Sequence, residues 1–242
     1  MSNFEKDYFD PNIKKAGWSR VRSTYWQYDY EHMYPEFKKM AYAIKTLFNP
    51  KRVLDIGCAK GFLVKAFREL DIESYGVDIS EYAISKSPES VKPLLFISDL
   101  NSDHLPFEDN SFDTITFLGT LEHLDDHAHA LREINRISKV SCTLIMRTLF
   151  RKLPGDNFFI NIHSRSFWIN KFRSIGFTHD QVRTDQFVNS RIRCRLKSQE
   201  GIIIKTASLL YYNFPQGQRL VHFYLNNVHD TGYLVFLKDR GY

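Results

Sequence analysis

Three aspartates each close a short apolar run: Asp55 after Val53-Leu54, Asp78 after Tyr75-Gly76-Val77, and Asp99 after Leu94 to Ser98. A fourth run ends in Glu122-His123. The first acid leads into VLDIGCAKGFL, Val53 to Leu63, in which Gly57 and Gly61 stand four apart. A glycine has no Cβ to hold a ligand off the backbone, and the start of a helix adds free N–H groups. The stretch therefore reads as a turn against which a nucleotide-type ligand lies. A dinucleotide fingerprint needs glycine at the first, third and sixth positions of the turn. Counted from Gly57, these are Gly57, Ala59 and Phe62, so a pyrophosphate reader is disfavoured. Lys60-Gly61-Phe62 is not the Gly-Lys-Ser/Thr of a phosphate-binding loop. An imidazole such as His123 has an ordinary pKa of about 6.5, near what a general base needs at neutral pH.

Positioning such groups takes alternating strands and helices. Apolar residues from Tyr30 to Phe48 fall at helical spacing, with Pro50 as the stop. Strands are expected at Arg52–Ile56, Glu73–Val77, Leu94–Ile97, Asp113–Leu118, about Thr143–Met146 and Gly232–Leu237. Helices are expected over Phe62–Leu70, after a Ser80 cap, from Asp125 or Asp126 to about Ser138, and from a Ser164 cap to about Ser174, ended by Gly176. This order implies an α/β fold, a Rossmann-like, mostly parallel sheet with helices on both faces. Ligands in such sheets sit at the carboxyl ends of the strands, where the strand order reverses.

The 242 residues, 43% hydrophobic, are enough for one α/β core or a core plus a cap. No apolar run is long enough to span a membrane. The acidic, polar first residues do not read as a secretory signal. Three scattered cysteines, Cys58, Cys142 and Cys194, match neither a disulfide framework nor a paired metal site. A cytoplasmic protein without a membrane role is the expectation. Residues 1–150 carry 19 Lys/Arg against 22 Asp/Glu, and residues 151–242 carry 14 against 6. Part of that basic excess is Arg191, Arg193, Arg195 and Lys197, whose alternation reads as one solvated strand face. The functional alternative is a patch for an anionic partner. Residues 191–229 read as a partly helical insertion.

Asp-x-Gly-x-x-x-Gly at Asp55 to Gly61 resembles the first motif of the class I S-adenosylmethionine-dependent methyltransferases, and the resemblance runs in register through about residues 50–150. YGVDIS, Tyr75 to Ser80, looks like the second motif, ISDL, Ile97 to Leu100, like the third, and FDTITFLGTLEHL, Phe112 to Leu124, like the fourth. The resemblance implies a seven-stranded sheet that binds S-adenosyl-L-methionine. Asp55 would lie near the methionine ammonium, Asp78 on the ribose hydroxyls and Asp99 near the adenine amino group. Gly57, Cys58, Gly61, Phe62, Ile79, Leu100 and Leu118 would complete the cofactor site. Taken singly, Asp78 could cap a helix and Asp99 could start a turn, but four motifs in order make that a poor account. The ligand's sulfonium, ammonium and hydroxyls call for acids and carbonyls. The family's middle glycine is Ala59 here, tolerable if its φ is negative.

Methyl transfer is an in-line displacement in which the enzyme chiefly aligns donor and nucleophile. His123 is the candidate catalytic residue, as general base or in a packing role. His123 and His127, four apart, would share a helix face, but a helix starting at Asp125 or Asp126 leaves His123 outside it, and no metal is expected. Asp156-Asn157-Phe158-Phe159 lacks the prolines of the amino-group nucleic-acid methyltransferases and follows the wrong strand. The stretch from Asp156 to Trp168 is closer to a glycan and secondary-metabolite subgroup of the methyltransferase type 11/12 kind: Ser164, Arg165 and Trp168 match, while Asn157 and Phe159 replace its proline and histidine, and His163 is out of register. Residues 1–50 would form a helical cap, with Tyr25, Trp26 and Tyr28 as lid candidates near the sulfonium, and residues 51–242 the methyltransferase domain. The expected reaction is methyl transfer to oxygen or nitrogen of a small-molecule acceptor, one with an anionic group fitting the basic C-terminal part, by a monomer or homodimer. The alternatives are RNA modification, with nucleic acid disfavoured for want of an RNA-binding module, and non-catalytic cofactor binding.

Overall fold

The computed structural model describes residues 30–150, 159–198 and 233–239. Seven strands form one sheet: β1 (Arg52–Ile56), β2 (Glu73–Asp78), β3 (Leu95–Ile97), β4 (Phe112–Leu118), β5 (Ser138–Arg147), β6 (Phe177–His179) and β7 (Tyr233–Lys238). Their order is β3-β2-β1-β4-β5-β7-β6, with β7 antiparallel to both neighbours and the other pairings parallel. The helices are α1 (Tyr30–Phe48), α2 (Phe62–Arg68), α3 (Glu81–Ser85), α4 (His127–Ile137), α5 (Arg165–Arg173) and α6 (Gln181–Ser198).

The chain builds outward from β1 in one direction through β2 and β3, then returns to place β4 on its other side. The sheet order therefore reverses between β1 and β4, and in sheets of this kind ligands lie at the carboxyl ends of the strands at such a reversal. All but the first residue of β1 is buried, as expected of a central strand covered on both faces. Leu54 and Ile56 pack with Ile115, Phe117, Leu144 and Met146 beneath α4 and α5. Val53, Ile145 and Val235 pack on the opposite face against α1, α2 and Phe187 of α6.

Most expected elements are present within a residue or two. Ser80 Oγ accepts from Ala83 N at 3.1 Å, Asp126 caps α4, Ser164 caps α5, and Gly176 ends the following turn at φ +81°. Three points refine or correct the expectations. The helix before β1 ends because Asn49 turns left-handed, at φ +48°, with its N–H on Lys45 O. This is a C-terminal cap of the αL kind, and Pro50 directly after it bars the helix from continuing. The basic run is no strand: positions 191–197 lie in α6, so the two-residue period of a strand does not apply to them. β6 and the first half of α6 were not expected at all. The proposed lid aromatics, and residues 199–229 of the expected insertion, lie outside the described residues.

Lys238 shows how the antiparallel edge is locked. Its Nζ donates to Asn135 O and Ser138 O at 2.7 and 2.8 Å. A nearly buried ammonium thus satisfies carbonyls at the end of α4, where the helix dipole favours a cation.

Candidate active site

The turn after β1 is stitched to β2. Gly57 N and Cys58 N both donate to Val77 O, at 2.8 and 3.0 Å. Gly57 has φ +75°, and a Cβ there would lie 1.9 Å from Thr120 Oγ1. Thr120 Oγ1 in turn donates to Ile56 O at 3.3 Å, so the loops after β1 and β4 close on one another at the switch point. Gly61, at φ +68°, begins α2 over Leu95.

Ala59 overturns one expectation, for its φ is +48° and not negative. An L-residue pays on the order of 1 kcal/mol or more there. Two contacts offset this cost. Its N–H donates to Asp78 Oδ2 at 2.8 Å, and its methyl packs in a small cluster with Ala83 and Tyr82.

Asp78 thus has a structural task. Besides Ala59 N, it takes Ser80 N on Oδ1 at 2.9 Å, joining the glycine turn to the start of α3. Ile79 beside it is half-buried. Asp55 is buried, 5% exposed, and accepts from Thr116 Oγ1 at 2.6 Å. Burial pushes its carboxyl up to about 7, with the charge of Asp78 adding to the rise and the Thr116 donor opposing it. Asp99 Oδ1 accepts both Asn101 N and Asn101 Nδ2 at 2.9 Å, so it does start a turn.

Several expected cofactor residues aim their side chains into the cores. Phe62 packs edge-on against Tyr30, Tyr34 and Phe37. Cys58 packs with Val64 and Leu95, and its thiol is raised far above the reactive range, chiefly by burial. Leu100 is buried in the core under α4 and α5, and Leu118 lies against the opposite core. What these four offer a ligand is main chain.

Beyond β4, residues Leu121–His123 form a 3-10 turn and α4 starts at His127, so His123 stands outside that helix. The His123 and Phe159 rings are 5.0 Å apart. Glu122 is buried, accepts from Thr148 Oγ1 at 2.9 Å, and takes Ile160 N and Asn161 N on its carbonyl. Burial raises its carboxyl, against the Thr148 donor and the charge of Arg147. His163 stacks on Phe167 at 3.8 Å, and Asn161 Nδ2 lies 3.3 Å from His127 Nδ1. Burial, with the charges of Lys171 and His163, lowers the His127 imidazole. Asp55, Asp78, Gly57 and Thr120 are thereby gathered at the β1 and β4 ends, while His123, Phe159 and Glu122 form a second group.

Sequence reasoning missed Thr116, Thr120, Thr148 and Asn101. A lone polar residue carries no signal of its partner. Thr116 became findable only with the β1–β4 register, in which it pairs with Asp55.

A family model described as a methyltransferase domain matches residues 54–146, which contain Asp55, Asp78, Asp99 and Glu122. The chain is 28% identical over 207 residues to the ubiquinone biosynthesis O-methyltransferase of Aromatoleum aromaticum, covering 78% of each. It is 31% identical over 117 residues to the demethylmenaquinone methyltransferase of Lactiplantibacillus plantarum, covering 45% of this chain and 49% of that protein, so it spans about half that relative's length. The fold matches the YcgJ protein of Bacillus subtilis with a TM-score of 0.54 at 18% identity, over 84% of this chain and 99% of that one. With a methyltransferase domain at residues 54–146 and the Rossmann-like fold of its structural neighbours, the chain is an S-adenosylmethionine-dependent methyltransferase.

The residues present fit that cofactor. A buried carboxyl held near neutrality, Asp55, is stabilised as its anion by an arriving ammonium. At Gly57 the space a Cβ would take is filled by Thr120, so this glycine lets the loops after β1 and β4 close together beside Asp55.

Proposed function

We propose that this methyltransferase acts on oxygen or nitrogen of a small-molecule acceptor by in-line transfer. The observation that carries this reading is the reversal point itself: Asp55, Asp78 and the Gly57 turn meet at the ends of β1 and β2, and the Glu122-His123 turn follows β4 beside them. In the proposal Asp55 holds the cofactor's ammonium, Asp78 its ribose hydroxyls and Asp99 its adenine edge. Gly57, Cys58, Gly61, Phe62, Ile79, Leu100 and Leu118 line it. The bound cofactor supplies an activated methyl group. His123, with its ring against Phe159, takes the acceptor's proton or orients the acceptor, and Glu122 holds the segment that carries Phe159. The small-molecule activities named for the quinone-pathway relatives support an acceptor of that size.

Thermal unfolding with S-adenosylmethionine, S-adenosylhomocysteine and NAD tests the cofactor half. A ligand that binds only the folded state stabilises it by about 2.7 kcal/mol at a hundredfold excess over Kd. Asp78→Asn is preferable to Asp78→Ala, since it keeps an oxygen for the turn. The expected result is a shift with both adenosyl ligands, little with NAD, and a loss of that shift in Asp78→Asn. Radiolabelled methyl transfer to phenolic and amine metabolites, set against total RNA, tests the acceptor half. Label appearing in RNA alone would overturn it.

A further inference from the structure

We infer that Asn101 is a positioning residue that couples the adenine end of the cofactor site to the loop carrying Glu122 and His123. The inference rests on the cofactor reading proposed above, with Asp99 at the adenine edge. Asn101 follows β3 and is half-buried. Its Nδ2 donates to Asp99 Oδ1 at 2.9 Å, and its main-chain N–H reaches the same oxygen at 2.9 Å. Its Oδ1 accepts from Asp125 N at 2.9 Å and Asp126 N at 3.0 Å. Those two amides belong to the link between the His123 turn and α4, and Asp126 is the residue that caps α4.

The orientation of this amide is dictated by its neighbours. Turned over, it would set NH2 against two N–H donors and a carbonyl against a carboxylate. No other side chain of this size offers one donor and one two-lone-pair acceptor on adjacent atoms. An aspartate would meet Asp99 with a like charge, and an alanine would release both sides. A second strap runs parallel to the first: Asp103 Oδ2 takes Asp99 N at 2.7 Å, and His129 Nε2 lies 3.0 Å from Asp103 O. This strap keeps the β3 loop against α4 when Asn101 is changed, so an Asn101 variant folds and isolates the side-chain link.

A ligand that engages Asp99 therefore orders the loop after β4 through one amide, and the acceptor-side group is set in place by cofactor binding. Coupling of this kind is reciprocal in free energy. The test is NMR-detected amide exchange with S-adenosylhomocysteine on the wild type, Asn101→Ala and Asn101→Asp. The probe amides are His123 and Leu124, which bond to Thr120 O and Leu121 O and not to Asn101. In the wild type the ligand should slow exchange in the Gly57 to Gly61 turn, and about tenfold at His123 and Leu124. Asn101→Asp keeps an acceptor for Asp125 N and Asp126 N but repels Asp99. Its free-protein exchange at the loop should match the wild type, while the ligand-induced slowing there is lost and that at the turn survives. Asn101→Ala should lose the slowing and also exchange faster without ligand. Retained slowing in Asn101→Asp, or its absence in the wild type despite protection of the turn, overturns the inference. No protection of the turn in any of the three proteins sinks the cofactor assignment instead.

Discussion

The loop after β1 and the loop after β4 meet at one point, yet they are built on different principles. The β1 turn is held through its own N–H groups, two on Val77 O and one on the Asp78 carboxylate, and by a glycine with no room for a Cβ. The β4 loop is held by side chains from distant segments, Thr148 and Asn101, and by the 159–161 segment on Glu122 O. Backbone-built turns tolerate almost no change of shape, whereas side-chain-built loops can be retailored one residue at a time. A cofactor common to a family suits the first arrangement, and an acceptor that differs between members suits the second.

Gly57→Ala should break the β1 turn most severely. It combines a positive φ with a Cβ 1.9 Å from Thr120 Oγ1, and costs together about 3 kcal/mol. Calorimetry should show a melting temperature lower by roughly 6–12 °C, with no response to S-adenosylhomocysteine. A fully responsive, equally stable variant would mean the turn is not rigid.

Asp55→Asn separates stability from binding. The Asp55 carboxyl is raised to about 7, so its contribution to the fold is full below its unfolded value and is lost as pH rises towards 7. An asparagine accepts the Thr116 bond without that loss. At pH 8 it should raise the ligand-free melting temperature by about 4–8 °C, for roughly 2 kcal/mol, and weaken S-adenosylmethionine binding at least tenfold by titration calorimetry. For the wild type, affinity should rise with pH through about 7 as the carboxylate forms.

The contrast between the two loops sharpens with Glu122→Gln. Burial raises the Glu122 carboxyl, so its stabilisation too declines with rising pH, and the Gln variant should overtake the wild type in stability on the alkaline side. S-adenosylhomocysteine affinity should fall much less than in the β1 variants. A tenfold loss of affinity would show that the two loops are one unit.

Ala59→Gly should do least. Relief of the left-handed conformation, about 1 kcal/mol, opposes the loss of a buried methyl, about 0.8 kcal/mol, and the greater unfolded freedom of glycine. A net change within about 0.5 kcal/mol by denaturant unfolding is expected.

What was legible beforehand follows the same division. Caps at Ser80, Asp126 and Ser164, and the strands ending in Asp55 and Asp78, are local signals written in adjacent residues. β6 is three residues long and too short to show a period. α6 is polar over much of its length, and its Arg-x-Arg-x-Arg-x-Lys segment mimics the two-residue repeat of a strand. Ala59 misled for a related reason: a residue's φ follows from what holds its N–H, and Asp78 lies nineteen residues on.

By itself the sequence determined the parallel α/β order, the glycine turn and the acids that close the strands, because each rests on residue types at short, fixed spacing. Only the tertiary structure decided which acid is buried and near neutrality, which carboxylate holds the turn, and that Asn101 ties the third strand's loop to the fourth's. Those facts depend on which distant backbone each side chain meets, and strand register, not spacing along the chain, sets that.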